Sequence, residues 1–439
     1  MNSETDSYCA WFGKSLSLLV GPARQGPVHI ARVSCQKDGM DQTSTAEFLA
    51  FLSDAGLRAF SEVDLLRGFC ERLHSAGVPI VRALVLIDTL HPVHEGHVFR
   101  WRREGEAFEP VTEYGRDGSE TARKWAVSPF HHLVVSGETE VRRRLARGET
   151  AEFPVLKELQ SEGQTDYLAV IHRFAEGAVG EMDGVYSSWS TDEPEGFDEP
   201  QLSFLRQLLP TLALALKCVS LGRVAETLVT TYLGRDAGQR VLSGRIARGV
   251  AERISAVLWY SDLRGFTRIT EAAAPHEIIP FLNDYANAII SAVHDAGGDV
   301  LKLIGDGALA IFTADDPSAA CACALKAETL MRARVQAVSE DRSVHARPTA
   351  DAYLGLHVGE VFYGNIGSED RLDFTVVGPA VNEVSRIAAL CRSVEKDVLV
   401  SSAFASTALP EDRARLASVG RYALKGVEKA QDLFTLERG

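Results

Sequence analysis

The sequence predicts an α+β protein with a ferredoxin-like layer of order βαββαβ in residues 251–439, preceded by a second α+β unit in residues 46–218. In the C-terminal region, apolar runs typical of strands alternate with apolar residues at helical spacing, and a short hairpin has the tip Gly305-Asp306-Gly307. In the N-terminal region, a helical pattern is followed by strand patterns and then by another helix. Each unit is long enough to form its own hydrophobic core.

The composition limits the classes of partner. The chain has 439 residues and a net charge of −14, which argues against a broad basic surface for nucleic acid or anionic membranes. The apolar stretch 208–219 contains Pro210 and Lys217 and is shorter than the roughly 20 residues that a bilayer requires. The seven cysteines have no disulfide or metal-ligand spacing. We therefore expect a cytoplasmic protein with no nucleic-acid and no membrane partner.

The N-terminal unit is predicted from a small number of patterns. Residues 1–45 are expected to form a weakly ordered lead-in or a peripheral strand. The predicted elements are a helical segment at 46–73, strands at 81–90, 97–103, 107–114, 166–173 and 184–191, and a helix that runs from about 198 to 218. The basic run Arg142-Arg143-Arg144 is interpreted as a solvated helix face, and the histidines at 91, 94 and 97 as a polar loop without zinc.

Residues 219–250 are predicted to connect the two units. Apolar residues keep helical spacing up to Tyr232, and glycines then interrupt the pattern. A helix followed by a glycine-punctuated hairpin is expected here, as an element that passes a conformational change to the C-terminal unit. A plain linker is the alternative.

In the C-terminal unit, the predicted elements follow in chain order. They are a strand at 254–260, a helix at 280–294 with Pro280 in its first turn, strands at 299–304 and 308–312, a helix at 317–334, a strand at 354–358, a helix at 379–391, and strands at 416–424 and 433–437. Glycines 359, 364 and 367 are expected to mark tight turns.

Two aspartates are the strongest chemical signal. Asp262 follows a strand directly, and Asp306 lies at the tip of the predicted hairpin. Carboxylates on neighbouring strands are suitable ligands for two Mg²⁺-type ions that handle a nucleoside triphosphate. Either residue alone is equally well explained as a turn or capping aspartate. Together they favour a site for phosphoryl-transfer chemistry.

Five ordered motifs in residues 224–439 resemble the class III nucleotidyl cyclases. The motifs are Ser261 to Thr267, Leu301 to Phe312, Leu356 to Gly367, Thr375 to Arg386, and Leu424-Lys425-Gly426. The resemblance implies that Asp262 and Asp306 bind two Mg²⁺ or Mn²⁺ ions, with the main-chain carbonyl of Leu263 assisting.

The resemblance also implies the residues that recognise the base. Lys302 occupies the position of a base-recognising lysine, and an ammonium group, which only donates hydrogen bonds, suits N1 of adenine. Thr375 occupies the second base position, where many adenylate cyclases have aspartate. A hydroxyl both accepts and donates, so it discriminates less sharply. The chain is thus similar to the subgroup that has a lysine–threonine pair.

Three further positions match catalytic residues of this family. Asn382 and Arg386 lie four residues apart on a predicted helix and therefore share one face. The resemblance implies that Asn382 orients the ribose and that Arg386 stabilises charge on the transferred phosphoryl group. It also implies that Lys425 binds the triphosphate. No general base is evident from the sequence.

The family arrangement implies a head-to-tail homodimer with two equivalent sites. In this expectation, the metal and base-lysine residues lie on one subunit and the Asn382/Arg386 pair on the partner. Both sets occur in this chain, so two copies can complete each other's sites. The monomer, in which the two sets do not meet, is expected to be inactive. The expected activity is that of an adenylate cyclase, which converts ATP to 3′,5′-cyclic AMP and pyrophosphate. The alternatives are a guanylate cyclase or a non-catalytic nucleotide-binding regulator.

Part of the N-terminal unit resembles the second half of a GAF domain. The resemblance rests on residues 166–170, 187–191 and 196–197. It implies a sensor that responds to an unknown small-molecule or protein signal and adjusts the geometry of the dimer. An unrelated α+β module is the alternative.

Overall fold

The computed structural model describes residues 42–58, 60–104, 109–115, 119–150, 152–175, 182–427 and 430–437. Most of the predicted N-terminal lead-in lies outside the described residues. The chain forms two α+β units joined by a long helix and a short one.

The N-terminal unit has one antiparallel sheet. Its strands are β1 (Arg82–Asp88), β2 (His94–Arg102), β3 (Val111–Gly115), β4 (Glu140–Arg143), β5 (Asp166–Arg173) and β6 (Gly184–Thr191). They lie in the order β3-β2-β1-β6-β5-β4, with every neighbouring pair antiparallel. The predicted strands at 166–173 and 184–191 are confirmed to the residue.

Six α-helices of the described residues accompany this sheet. They are α1 (Gln42–Leu57), α2 (Glu62–Ser75), α3 (Ser119–Ala126), α4 (Pro129–Ser136), α5 (Pro154–Ser161) and α6 (Glu199–Leu233). Buried residues of α1, α2 and α6 pack with the sheet in one cluster, where the rings of Phe69 and Trp189 meet edge to face at 5.6 Å. The predicted single segment 46–73 is two helices because the Ser61 side chain caps the second, accepting from the Asp64 N–H at 3.1 Å.

The interpretation of the basic run as a helix face is wrong. Arg142 and Arg143 lie on β4, and the Arg142 guanidinium binds the carboxylate of Asp166 at 2.6 Å. Asp166 is fully buried, so its charge requires a cationic partner. The arginine is therefore part of the internal structure of this unit.

Helix α6 extends fifteen residues beyond the predicted end at 218. It begins with a capping box in which Asp198 accepts from the Gln201 N–H and the Gln201 side chain accepts from the Asp198 N–H. Of the described helices, this one is long and apolar enough to cross a membrane by length and composition, and half of its most apolar window is buried against the N-terminal core.

The predicted hairpin in the connector is wrong. Gly234, at φ 88°, breaks the helical path and a second helix, α7 (Arg235–Leu242), begins directly after it. Residues 243–250 then lead into the C-terminal unit without forming a strand. The chain is helical again through Gly238, so the glycines separate two helices and do not form a hairpin turn.

In the part of the C-terminal unit that the structure describes, there are eight strands. They are β7 (Ala251–Leu263), β8 (Asp299–Ile304), β9 (Gly307–Phe312), β10 (Ala352–Gly367), β11 (Leu372–Val377), β12 (Val398–Ser401), β13 (Leu416–Tyr422) and β14 (Gln431–Leu436). The helices of this unit are α8 (Phe266–Ala272), α9 (Pro275–Asp295), α10 (Pro317–Val344), α11 (Pro379–Leu390), α12 (Ser402–Thr407) and α13 (Pro410–Arg413). Helix α9 begins five residues before the predicted start, so Pro280 lies inside it.

The sheet of this unit has the order β13-β14-β12-β10-β7-β9-β8, and β11 pairs with the end of β10. Its central strands β10-β7-β9-β8, with α9 between β7 and β8 and α10 between β9 and β10 in the chain, have the predicted βαββαβ order. Helices α9 and α10 cover one face. We call the opposite face, which α7, β11 and α11 contact, the site face.

Strand β10 is much longer than predicted. It continues through Gly359 and Gly364, where tight turns were expected. A side chain at Gly359 would place its Cβ 2.5 Å from the Cβ of Ala380, so this glycine allows α11 to pack closely on the strand. The sequence signal was interpreted as a turn, but its cause is the close approach of a helix.

Candidate active site

The fold brings Asp262 and Asp306 together. Alternation along β7 places Asp262 on the site face with Tyr260 and Leu258, at the end of the strand. Asp306 lies in the turn between β8 and β9, and its Oδ2 accepts from the Leu263 N–H at 3.2 Å.

The turn that carries Asp306 fits tightly against β7. A Cβ at Gly307 would lie 2.7 Å from the carbonyl oxygen of Ser261, so only glycine allows this approach. The predicted juxtaposition of the two aspartates therefore rests on the backbone of both strands.

The Asp306 carboxylate lies close enough to perturb Asp262. Burial, and then the neighbouring Asp306 carboxylate, raises the pKa of Asp262 to about 6. Burial and the same two aspartates raise the pKa of the Tyr260 hydroxyl. A divalent cation between the carboxylates would remove this repulsion, since a metal ion reverses the local electrostatics.

The residues present fit such a cation. Two carboxylates and the Leu263 carbonyl are hard oxygen ligands, which Mg²⁺ and Mn²⁺ prefer. The described residues contain no cluster of three or more His, Cys, Asp or Glu side chains suited to a metal. The remaining ligands would come from water or from the phosphates of a substrate.

Lys302 also lies on the site face. The register shift between Val300 and Lys302 places this lysine opposite Leu309, which in turn pairs with Tyr260 of β7. Its ammonium group forms an ion pair with Asp373 of β11. The described contacts thus group the lysine with β11.

Asp373 is a site residue that the sequence reasoning missed. It lies two residues before Thr375 on β11, and residues at this spacing in a strand share one face. Phe374 and Val376, on the other face, are buried in the core cluster. The signal was therefore available in the alternation of the sequence Asp-Phe-Thr-Val once β11 was recognised as a strand.

Helix α11 carries Asn382 and Arg386. Asn382 is exposed and Arg386 half-buried, one turn further along the same side. The helix lies close to β10 because Gly355 has no side chain: a Cβ there would be 2.7 Å from the Ala388 nitrogen and the Val384 oxygen. The predicted sharing of one helix face is confirmed.

A buried polar network lies beneath this helix. His357 of β10 is 6% exposed; its Nδ1 is 2.9 Å from the Ser401 Oγ and its Nε2 is 3.6 Å from the Glu383 carboxylate. Glu383 also accepts from the Gln431 side chain at 2.5 Å. Burial lowers the pKa of the imidazole, while Glu383 opposes this effect. The network joins α11 to β10, β12 and β14.

Lys425 and Arg386 lie near each other. Lys425 is exposed in the turn after β13. A Cβ added at its neighbour Gly426 would lie 3.4 Å from the Arg386 guanidinium. Leu424 anchors the turn in a cluster with Ile387. Among the described side chains, neither cation forms an ion pair. Both are therefore available to an anionic ligand.

The site residues form two groups in one chain. One contains Asp262, Asp306 and the Leu263 carbonyl. The other contains Asn382 and Arg386 of α11 and Lys425 of the adjacent turn. Among the described contacts, no hydrogen bond or ion pair joins the two groups.

Comparison with known proteins identifies the C-terminal unit. Residues 250–438 match the family model described as the adenylate and guanylate cyclase catalytic domain. This region is a cyclase catalytic domain. It contains both groups of site residues, and the N-terminal unit lies outside it.

Several relatives of the cyclase domain are named adenylate cyclases. The adenylate cyclase of Anabaena cylindrica is 36% identical over 157 residues, which cover 35% of this chain and 30% of the relative. Adenylate cyclase 1 of Rhizobium meliloti is 27% identical over 197 residues, covering 44% of this chain and 29% of the relative. The chain thus spans about a third of the length of these relatives.

Solved cyclase structures are also similar to the cyclase domain. The adenylyl cyclase CyaB from P. aeruginosa has a TM-score of 0.39 at 21% identity, covering 43% of this chain and 97% of that structure. The guanylyl cyclase Cya2 has a TM-score of 0.38 at 26% identity, covering 42% and 93%.

Proposed function

We propose that the protein is an adenylate cyclase that converts ATP to 3′,5′-cyclic AMP and pyrophosphate. The observation that carries the proposal is the paired carboxylates of Asp262 and Asp306 on the face that also presents Lys302. The match to the cyclase catalytic domain and the adenylate cyclases among the relatives support it.

In this mechanism, the ribose 3′-hydroxyl attacks the α-phosphorus and pyrophosphate leaves. Asp262, Asp306 and the Leu263 carbonyl would hold the divalent ions, which would supply charge neutralisation and a lower pKa for the attacking hydroxyl. The Arg386 guanidinium stabilises the charge that develops on the phosphoryl group, and Lys425 binds the triphosphate. Asn382 orients the ribose. The described residues supply no evident general base, so the hydroxyl proton passes to solvent or to the substrate phosphate.

Base selection rests on Lys302 and β11. The ammonium donates to N1 of adenine, whereas N1 of guanine carries a hydrogen and offers no acceptor. Thr375 contributes a hydroxyl on the open side of the same strand. Membership of the lysine–threonine subgroup is part of the proposal.

The separation of the two site groups favours a head-to-tail homodimer with two sites. Because Lys302 pairs with β11, which leads directly into α11, we place this lysine with Asn382 and Arg386 and not with the metal ligands. This assignment revises the expected division between subunits. Phe362 and Val377, paired on β10 and β11, are 52% and 42% exposed, as expected for apolar side chains that a second copy covers.

The N-terminal unit is proposed to be a GAF-like sensor of a cytoplasmic enzyme, with a small molecule or protein as its signal. The connector provides a route to the site. Arg240 of α7 lies over the ring of Tyr363 at 5.0 Å, and Tyr363 packs edge to face on Phe374 at 4.9 Å. Phe374 lies between Asp373 and Thr375, so a displacement of α7 reaches the base-selecting strand.

The test is a nucleotide assay on purified full-length protein. ATP and GTP are supplied separately with Mg²⁺ or Mn²⁺, and the cyclic products are quantified. Cyclic AMP as the main product supports the proposal. Cyclic GMP as the main product supports a guanylate cyclase, and nucleotide binding without turnover supports a non-catalytic regulator.

A further inference from the structure

The Lys302–Asp373 ion pair joins two strands that are not neighbours in the sheet. Lys302 is on β8, at one edge, and Asp373 is on β11, which pairs with β10. Strand β11 therefore curves over the site face. Both side chains remain nearly half exposed, so a ligand can reach them.

The direction of the Asp373 side chain is fixed by its neighbours. Phe374 is 5% and Val376 3% exposed in the core of the site face, which holds β11 in one orientation. Asp373 and Thr375 must then project from the opposite, open side. In the antiparallel register, Asp373 pairs with Ile366 and Thr375 with Gly364.

The chemistry of this pair matches one purine edge. Adenine presents an acceptor at N1 beside a donor, its exocyclic amine, whereas guanine presents a donor at N1 beside the O6 acceptor. The ammonium of Lys302 only donates and a carboxylate only accepts. The Thr375 hydroxyl does both and cannot by itself reject guanine.

We propose that Asp373 is a specificity-determining residue of the cyclase domain, whose carboxylate accepts from the exocyclic amine of adenine beside Lys302. Its carboxylate only accepts a hydrogen bond, whereas the Thr375 hydroxyl can either accept or donate one. The carboxylate also repels O6 of guanine, so it acts against the wrong base as well as for the right one. This inference rests on the proposed adenylate cyclase function.

The test compares kcat/KM for ATP and for GTP in one preparation of each variant. The change Asp373→Ala should lower the ATP-to-GTP ratio by about 10- to 100-fold, since hydrogen bonds to charged groups are of this strength. A loss of folded protein lowers the apparent kcat/KM for ATP and for GTP by the same factor, so it leaves the ratio measured on one sample unchanged. Asp370→Ala, which removes a nearby exposed acid without a described ion pair, should leave the ratio unchanged.

A variant with a relocated carboxylate distinguishes recognition of the base from a role limited to holding the strand. In the variant Asp373→Ala/Thr375→Asp the acid moves two residues along the same open side of β11. We expect this variant to regain most of the ATP preference that Asp373→Ala loses. A role limited to holding the strand would not be restored by this exchange.

The outcomes separate this inference from the proposed function. If the wild-type protein forms no cyclic nucleotide from ATP, the proposed function fails. If the wild type cyclises ATP and Asp373→Ala keeps the wild-type ratio, the assignment of Asp373 is overturned while the cyclase function stands. An equal loss of kcat/KM for ATP and for GTP is this same outcome.

Discussion

The backbone N–H of Leu263 lies 3.2 Å from Oδ2 of Asp306, and this contact ties the tip of the β8–β9 hairpin to the end of β7. It holds the second carboxylate beside Asp262. The arrangement costs stability in the absence of a cation, because the two carboxylates repel each other in a half-buried place. Binding of a cation between the two carboxylates would therefore raise the stability of the folded protein.

Mg²⁺ or Mn²⁺ is expected to raise the melting temperature of the wild-type protein at pH 8. At a concentration 100 times Kd, a ligand that binds only the folded state adds about 2.7 kcal/mol. Asp262→Asn and Asp306→Asn should abolish this shift and, since each removes the repulsion, melt no lower than the metal-free wild type. Differential scanning fluorimetry with and without the ion measures both effects. A full metal-induced shift in either variant would contradict the proposed ligands.

The network under α11 is expected to act on turnover. Glu383→Gln replaces the carboxylate facing His357 by a neutral amide, which loosens the helix that carries Asn382 and Arg386. A small misplacement of catalytic groups lowers kcat by about 10- to 100-fold. We expect this loss in kcat with little change in KM.

Steady-state kinetics and circular dichroism check this prediction together. Glu411→Gln, on an exposed helix of the same domain, is the matched control and should behave as wild type. If Glu383→Gln raised KM alone, the pair would contribute to substrate binding and not to the placement of α11.

A carboxyl group in the N-terminal unit should make stability pH-dependent. Burial raises the pKa of Asp88 to about 7, with Asp183 adding to the rise and the hydrogen bond from the Tyr114 hydroxyl opposing it. The folded state therefore binds this proton more tightly than the unfolded state, and stability falls as the pH rises from about 4 to 7.

Asp88→Asn removes this ionisation. We expect its melting temperature to exceed that of the wild type by several degrees at pH 8 and to be nearly equal at pH 4, since about 1 kcal/mol moves the melting temperature by 2–4 °C in a unit of this size. Glu71→Gln, an exposed acid on α2, is the control. A difference that is the same at both pH values would rule out the titration of Asp88.

Helix α6 carries a line of apolar residues that starts at the exposed Leu214 and ends at Leu228, which packs partly against the N-terminal core. Leu214, Leu221 and Leu228 repeat every seven residues, and Cys218 lies between the first two on the same side. Leu214 is 60% exposed and Cys218 is exposed. Leucines at this spacing are typical of a parallel two-helix seam. We therefore expect Cys218 to form an intermolecular disulfide on mild oxidation.

Non-reducing electrophoresis measures the cross-link. Cys218→Ser should prevent it, and in that background Ala225→Cys, on the same face, should restore it while the adjacent Glu226→Cys should not. Equal cross-linking by both new cysteines would indicate non-specific collision. If the protein instead floats with lipid vesicles in a flotation assay, this face of α6 binds a membrane surface.

The placement of the paired aspartates and of the shared helix face was more predictable from the sequence than the framework around them. Asp262, Asp306 and the shared face of Asn382 and Arg386 follow from strand ends and helical spacing, which are local patterns. Asp373 was missed because β11 is recognisable only through its pairing with β10, a contact that no local pattern reveals.

Other errors have the same physical origin. Gly359 was assigned to a turn because a glycine in the sequence does not show whether it serves a backbone conformation or the close approach of Ala380. Arg142 was placed on a solvated helix because the buried Asp166, its partner, is 24 residues away. Tertiary contacts decide both cases.

Complementation between two inactive chains tests the central claim most directly. Asp306→Ala removes a proposed metal ligand, and Arg386→Ala removes the proposed phosphoryl-binding cation of the other site group. Each variant alone should form no cyclic AMP from ATP. Coexpressed in equal amounts with two different tags, random pairing gives heterodimers in half of the dimers, each with one intact site, so about a quarter of the wild-type activity is expected. An inactive purified heterodimer, or full activity in either variant alone, would contradict a site that two copies of the chain complete.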